Sequence, residues 1–230
     1  MIKRLLEAVI RRTKNDTFRF DDSVPLSAIV ELLVTKLMSL LRGFRVSFFI
    51  GSFSKIYLGK SVKIQHTKNI VFGDNVIIGD YAMLSALGKG PLSIGNNVNV
   101  GAFSRVIIST SYNDIGEFIT IGDNVGFGEF AYLGGAGGLS IGKNTIIGQY
   151  FSAHPENHVF TNSKCLIRHQ GVTRTGIMIG ENCWIGSKVT ILDGVTIGDN
   201  CVIAAGAVVN SSFPDNVVIG GVPAVTLKSI

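Results

Sequence analysis

The 230-residue chain is long enough for one extended domain with a modest appendage, and 9% aromatic content beside 28 glycines points to a core of Ile, Val and Leu rather than rings. Residues 1–46 hold nine Lys/Arg against five Asp/Glu, while residues 47–230 hold twelve against eleven, so most of the net charge of +5 sits at the N-terminus. An almost neutral main body excludes a nucleic-acid binder with a basic stripe along it.

The N-terminal segment, residues 1–46, reads as two helical stretches. In the first, Leu5, Leu6, Val9 and Ile10 share a face opposed by Lys3, Arg4, Arg11 and Arg12. The second is expected from about Pro25 to Leu41, with Asp22 and Ser23 as caps, Pro25 in the first turn and Gly43 as a stop. Glu31 and Lys36 interrupt it, so no run approaches the ~20 apolar residues of a membrane span. Glu7 breaks the early apolar stretch, and a cleavable signal peptide is not expected. The segment is predicted either to cap the main domain or to rest as a basic amphipathic surface on an anionic membrane, and the two roles are compatible. The expected location is the cytoplasm, at the inner face of the membrane if that contact is made.

From residue 47 onward a period of six takes over. Ile179, Ile185, Ile191, Ile197, Ile203 and Val209 recur without a slip, and Ile-Gly pairs stand upstream at 78, 94, 121 and 141. Six fits neither a helix nor a two-residue hairpin meander. It fits short strands around a three-sided prism, one branched residue buried per side, with Gly or Asn at the corners where positive φ is needed. Successive coils then stack about 4.8 Å apart. Cys183 and Cys201 are eighteen residues apart, hence on the same side of neighbouring coils, and read as stacked buried thiols.

The repeat slips at Leu87–Gly90, near Thr110–Gly116 and at Gly134–Gly138, and breaks widely between Ile147 and Ile179. That last excursion, residues 148–178, holds His154, His158 and His169 together with Glu156, Arg168, Gln170 and Arg174. Long excursions from a rigid scaffold are where sites are built, so function is expected here.

These residues resemble a known family. Asn157-His158-Val159-Phe160, Gln170-Gly171-Val172, Ile179 to Gly186, Ile191 to Gly198 and Gly220-Gly221-Val222-Pro223-Ala224 are similar to the hexapeptide-repeat acyltransferases, most closely the branch that O-acetylates capsule and lipopolysaccharide sugars. The resemblance covers roughly residues 45–230. It implies an all-β fold, a left-handed parallel β-helix of hexapeptide repeats behind an N-terminal helical segment. It also implies a homotrimer with active sites in the clefts between subunits, acetyl-CoA as donor and a sugar as acceptor.

The implied chemistry needs one good base, because the thioester is already activated and no metal is required. A neutral imidazole near pH 7 can take the hydroxyl proton as oxygen attacks and pass it to the departing thiolate. In the family the base follows the preceding hydrophobic hexad residue by eleven positions, which from Ile147 is His158. His154, in a His-Pro pair, is the runner-up. For the donor the resemblance points to Trp184, Ser187, Ala205 and Gly206, with Lys228 near the chain end. Asn210-Ser211 and Val225 replace the cationic residues usual in relatives, leaving Arg174 as another partner for the nucleotide end.

Rival readings are an N-acetyltransferase acting on an amino sugar, a γ-carbonic-anhydrase-like metalloenzyme, and a non-catalytic β-helix. The metalloenzyme needs a histidine two coils before a histidine pair, and residues 67–153 have none. A pure scaffold gives no reason for a polar, histidine-bearing loop.

Overall fold

A computed structural model describes residues 2–13, 17–50 and 54–230; side chains at 2, 4, 9, 12, 13, 49 and 50 lie outside that description, among them Arg4, Val9 and Arg12 of the expected amphipathic face. Helix α1 spans Ile2–Thr13 and helix α2 spans Leu26–Ile50. From Ile56 the chain winds into three sheets of nine, seven and six strands, which form the first, second and third sides of a prism.

The six-residue period becomes vertical register. Ile179 pairs with Ile141 below and Ile197 above on the third side, while Ile185 pairs with Ile147 and Ile203 on the first. Ile191 pairs with Ala153 and Val209 on the second. All of these residues are buried, and each fully buried branched side chain contributes about 1.5–3 kcal/mol of transfer free energy. Cys183 and Cys201 point inward beside them as free thiols.

Each corner has its own chemistry. Between the third and first sides, Asn75, Asn97, Asn124, Asn144, Asn182, Asn200 and Asn216 all adopt φ between 54° and 61°. Their side-chain amides chain from coil to coil, as in Asn97 Nδ2 to Asn124 Oδ1 at 3.1 Å and Asn182 Nδ2 to Asn200 Oδ1 at 2.8 Å. Asparagine tolerates this left-handed backbone and is repaid by its neighbour's carbonyl. Between the first and second sides the same φ is taken by Tyr81, Phe103, Phe130 and Tyr150, whose rings stack in one column with centroids 5.0 Å apart.

The third corner, between the second and third sides, collects every break in the repeat. Strands Met83–Ser85, Arg105–Ile107, Tyr132–Gly134 and Ser152–His154 all lie on the second side, and each is followed by an insertion before the third side resumes. The insertions stack on one another. Lys89 N donates to Gly116 O at 2.9 Å, Glu117 N to Gly135 O at 3.1 Å, and Lys89 Nζ meets Glu117 Oε1 at 2.6 Å. A ledge therefore runs up this one corner.

The N-terminal segment departs from expectation at three points. Gly43 does not stop the second helix, which runs on to Ile50, past position 46. The glycine is needed for packing instead, since a Cβ there would stand 1.7 Å from the Ile56 carbonyl oxygen. Asp22 and Ser23 do not cap the helix: Ser23 N and Oγ turn back to Asp21 Oδ1, and Pro25 precedes the first helical residue. Arg42 Nε to Leu58 O at 2.8 Å and Ser47 Oγ to Ser54 O at 2.9 Å fasten α2 across the first coil. Among the described residues no helix is long and apolar enough to cross a membrane.

Candidate active site

His154 ends the second-side strand Ser152–His154, where Ser152 and Ala153 pair with Tyr132 and Leu133 of the coil before. Its imidazole stacks on the Tyr132 ring with centroids 5.2 Å apart and planes 21° from parallel. His154 keeps an exposed face, and partial desolvation of its imidazole lowers it from its ordinary value. Desolvation likewise pushes the Tyr132 phenol up.

Beyond Pro155 the chain leaves the prism. Asn157–His158 forms a short antiparallel hairpin with Val172–Thr173, and the exposed His158 lines an open groove with Phe160, Ile167 and Thr173. Among the described residues no side-chain hydrogen bond engages its imidazole. Two clamps hold the excursion. Gln170 Nε2 donates to Asn162 O at 2.9 Å and Cys165 O at 2.8 Å, while its Oε1 accepts from Asn162 N at 3.0 Å. At the root, Arg174 Nε donates to Glu156 Oε2 at 2.7 Å and Nη1 to Asp114 Oδ1 at 2.8 Å. Arg174 is thus occupied, and its guanidinium is not free for a nucleotide phosphate as its sequence position suggested. His169 and His66 are exposed.

The residues expected to hold the donor gather elsewhere, on the first side and its corner with the second. Trp184 lies on the first side with 61% of its surface exposed. It pairs with Val202, Val202 with Val218, and Val218 with Lys228, which puts Trp184 and the exposed Lys228 in one transverse line. Ser187 and Gly206 sit on successive coils of the first–second corner, with Gly206 N donating to Ser187 O at 2.9 Å. Gly206 adopts φ +75° with no atom within 4 Å of a built Cβ, and the adjoining Ala205 is exposed, so this corner is open to an elongated ligand.

Within one chain, the histidine loop and the donor residues occupy different corners, separated by the width of the second side. Tyr132 and Asp114 were not singled out by the sequence; an aromatic on the strand before His154 and an acid inside an insertion were the available signals. Among the described residues no three His, Cys, Asp or Glu side chains gather to hold a metal ion.

Residues 176–211 match the family model described as bacterial transferase hexapeptide (six repeats). WbbJ of Escherichia coli K12, named for lipopolysaccharide biosynthesis O-acetyl transfer, is 27% identical over 172 residues, covering 72% of this chain and 74% of its own. WcaF of the same organism, named for colanic acid biosynthesis acetyl transfer, is 35% identical over 112 residues, 48% of this chain and 58% of its own. The galactoside O-acetyltransferase of E. coli K12 is 34% identical over 131 residues, 49% of this chain and 64% of its own. The chain therefore spans about three quarters of WbbJ and less than two thirds of the other two. A variant of AntD, an N-acyltransferase from Bacillus cereus solved with dTDP-4-amino-4,6-dideoxyglucose and coenzyme A, superposes with a TM-score of 0.53 at 19% identity, covering 76% of this chain and 80% of that one. That likeness is one of fold. Repeat, register and corners define a left-handed parallel β-helix. Through residues 176–211 and these relatives the chain is similar to hexapeptide-repeat acyltransferases, among them proteins named for surface-polysaccharide biosynthesis.

Proposed function

We propose that the chain is an acetyl-CoA-dependent O-acetyltransferase acting on a sugar hydroxyl of a cell-surface polysaccharide or its precursor, with His158 as general base. The observation that carries this reading is the exposed placement of the His158 imidazole on a hairpin clamped at root and middle, eleven residues beyond Ile147. The hydroxyl oxygen attacks the thioester carbonyl, His158 accepts its proton, and the proton passes to the departing thiolate. No covalent enzyme intermediate is needed.

The separation of the histidine loop from Trp184, Ser187, Ala205, Gly206 and Lys228 supports a shared site, in which the loop of one copy meets the donor corner of the next. Closed threefold symmetry brings flat prism faces together, so the assembly is a homotrimer. We further propose a peripheral contact between residues 1–46 and the anionic inner face of the membrane. Leu26, Val30, Leu33, Leu37, Leu41 and Phe44 recur at steps of three and four along α2 and stay exposed, Phe44 by 69%. Exposed Arg11, Arg19 and Arg45 accompany them with the matching charge.

The test is acetyl transfer by His158→Ala and His154→Ala. The first is expected to lose at least ~10²-fold in kcat with acetyl-CoA affinity unchanged, and the second to keep substantial kcat. An active His158→Ala beside a dead His154→Ala reverses the assignment. If both stay active and an amino sugar is the better acceptor, the reaction is N-acetylation.

A further inference from the structure

At the root of the histidine loop, inside the ledge, lies a cavity of about 140 Å³. It opens to solvent and is lined by Ile108 and Ser109 of one insertion, Ala136 of the next, the stacked Tyr132 and His154, and Arg174. The space exists because small residues surround it. A Cβ on Gly134 would stand 3.3 Å from Tyr132 Cε1 and 3.2 Å from Pro155 Cδ, crowding the ring that lies over His154.

The polar groups of this wall fall into two sets. Arg174 is saturated: besides Glu156 and Asp114 Oδ1, it donates to Ile115 O and Asp114 O at 3.4 and 3.3 Å. The His154 imidazole and the Tyr132 hydroxyl have no hydrogen-bond partner among the described residues, and both line the cavity. A neutral imidazole and a phenol each offer one donor and an acceptor. The one carboxylate and the one guanidinium of the lining, Glu156 and Arg174, are paired with each other, so the wall offers no free cation to a carboxylate. The volume lies below the ~300 Å³ of drug-sized pockets and takes one ring at most.

We propose that this cavity binds one neutral, polyhydroxylated sugar ring, the residue of the acceptor next to the one that is acylated. The proposal rests on the sugar-transferase reading and adds a specificity to it: neutral glycans are accepted and uronic acids are not. The geometry suits a flanking residue. Glu156 and Arg174 line the cavity and are also the feet of the hairpin that bears His158. His158 follows His154 by four residues, so their Cα atoms are at most about 14 Å apart, within the span of two linked rings.

The experiment measures binding rather than turnover, so it stands apart from whether acyl transfer is detected. Methyl α-D-galactopyranoside, methyl α-D-glucopyranoside and methyl β-D-glucuronide are titrated into the full chain while the histidine ring protons are followed by NMR. At least one neutral glycoside is expected to shift the His154 signals with a Kd below about 10 mM, and the glucuronide is expected to bind at least ~10-fold more weakly. His154→Ala and Tyr132→Leu should each weaken the neutral glycoside ~10-fold or more, whereas His158→Ala should not. Ala136→Leu, which fills the cavity from the opposite wall, should do the same, provided that it unfolds as cooperatively as the parent chain. The proposal is overturned if no neutral glycoside binds, if the glucuronide binds equally well, or if binding survives the three cavity substitutions. With an acceptor in hand, His154→Ala should raise its KM and spare kcat, a split that a merely structural role would not give.

Discussion

Arg174 and Asp114 are sixty positions apart in sequence, yet Nη1 of the first donates to Oδ1 of the second at 2.8 Å. The contact joins the base of the histidine loop to an insertion two coils earlier, and Glu156 closes the pair into a three-residue cluster. Arg174→Ala would leave Asp114 and Glu156 facing one another uncompensated. We expect cleavage within residues 155–176 to accelerate at least several-fold in limited proteolysis and global stability to fall by about 1–3 kcal/mol in urea. Arg174→Lys should recover only part, because an ammonium cannot donate along a fork. An unchanged cleavage pattern in Arg174→Ala would remove the latch from the account.

The ring column makes a separate test of backbone strain against stacking. A left-handed backbone costs a residue with a Cβ about 1–2 kcal/mol, while each ring pair returns about 0.5–1.5 kcal/mol. Phe130 stacks on both Phe103 and Tyr150. Phe130→Ala keeps the strain and loses both stacks, so a loss of about 1–3 kcal/mol is expected. Phe130→Asn, which suits this φ, should be milder. The reverse order in thermal unfolding would mean that stacking contributes little here.

The thiols give a third prediction. Burial pushes the Cys183 thiol up to about 11, and Cys201 is fully buried on the next coil, whereas Cys165 lies partly exposed on the loop. Ellman's reagent should titrate one thiol per native chain and three in guanidinium. Two or three fast-reacting thiols under native conditions would contradict the inward orientation of Cys183 and Cys201.

The fourth concerns pH. The folded chain favours neutral His154, so the unfolded chain takes up this proton first as the pH falls. Its contribution is complete above about 6.5 and is lost as the pH drops through the lowered value. His154→Phe keeps a ring against Tyr132 without the titration. Between pH 7.5 and 5 its urea midpoint should therefore fall less than that of the parent chain. Equal declines would show that the imidazole titrates alike in both states.

The sequence declared the prism because one branched residue per six is a period that no other regular structure uses, and the pairing of Ile185 with Ile147 and Ile203 follows from it. It also isolated the loop. What it could not declare was that the slips at Leu87–Gly90, Thr110–Gly116 and Gly134–Gly138 share one corner with the loop, since that depends on which side each hexad begins. The cavity beneath His154 and the partners of Arg174 follow from that sharing. Gly43 was misjudged for a similar reason: a glycine near a helix end reads as a stop, and only the approach of Ile56 reveals that contact requires it. The ring column was legible, in hindsight, as Gly-x-Tyr or Gly-x-Phe at 79–81, 101–103, 128–130 and 148–150.

Helix α2 and the reversed strand Ala224–Ser229 have one more consequence. A stack of parallel coils offers bare amides and carbonyls at each end, and a second molecule could add there as one more coil, then a third. At the start, Arg42 and Ser47 of α2 take up carbonyls of the opening coil. At the finish, the antiparallel strand covers Val217–Gly221 in an orientation that no incoming parallel coil can extend. On the first side, then, both edges of the sheet are closed to an added parallel coil.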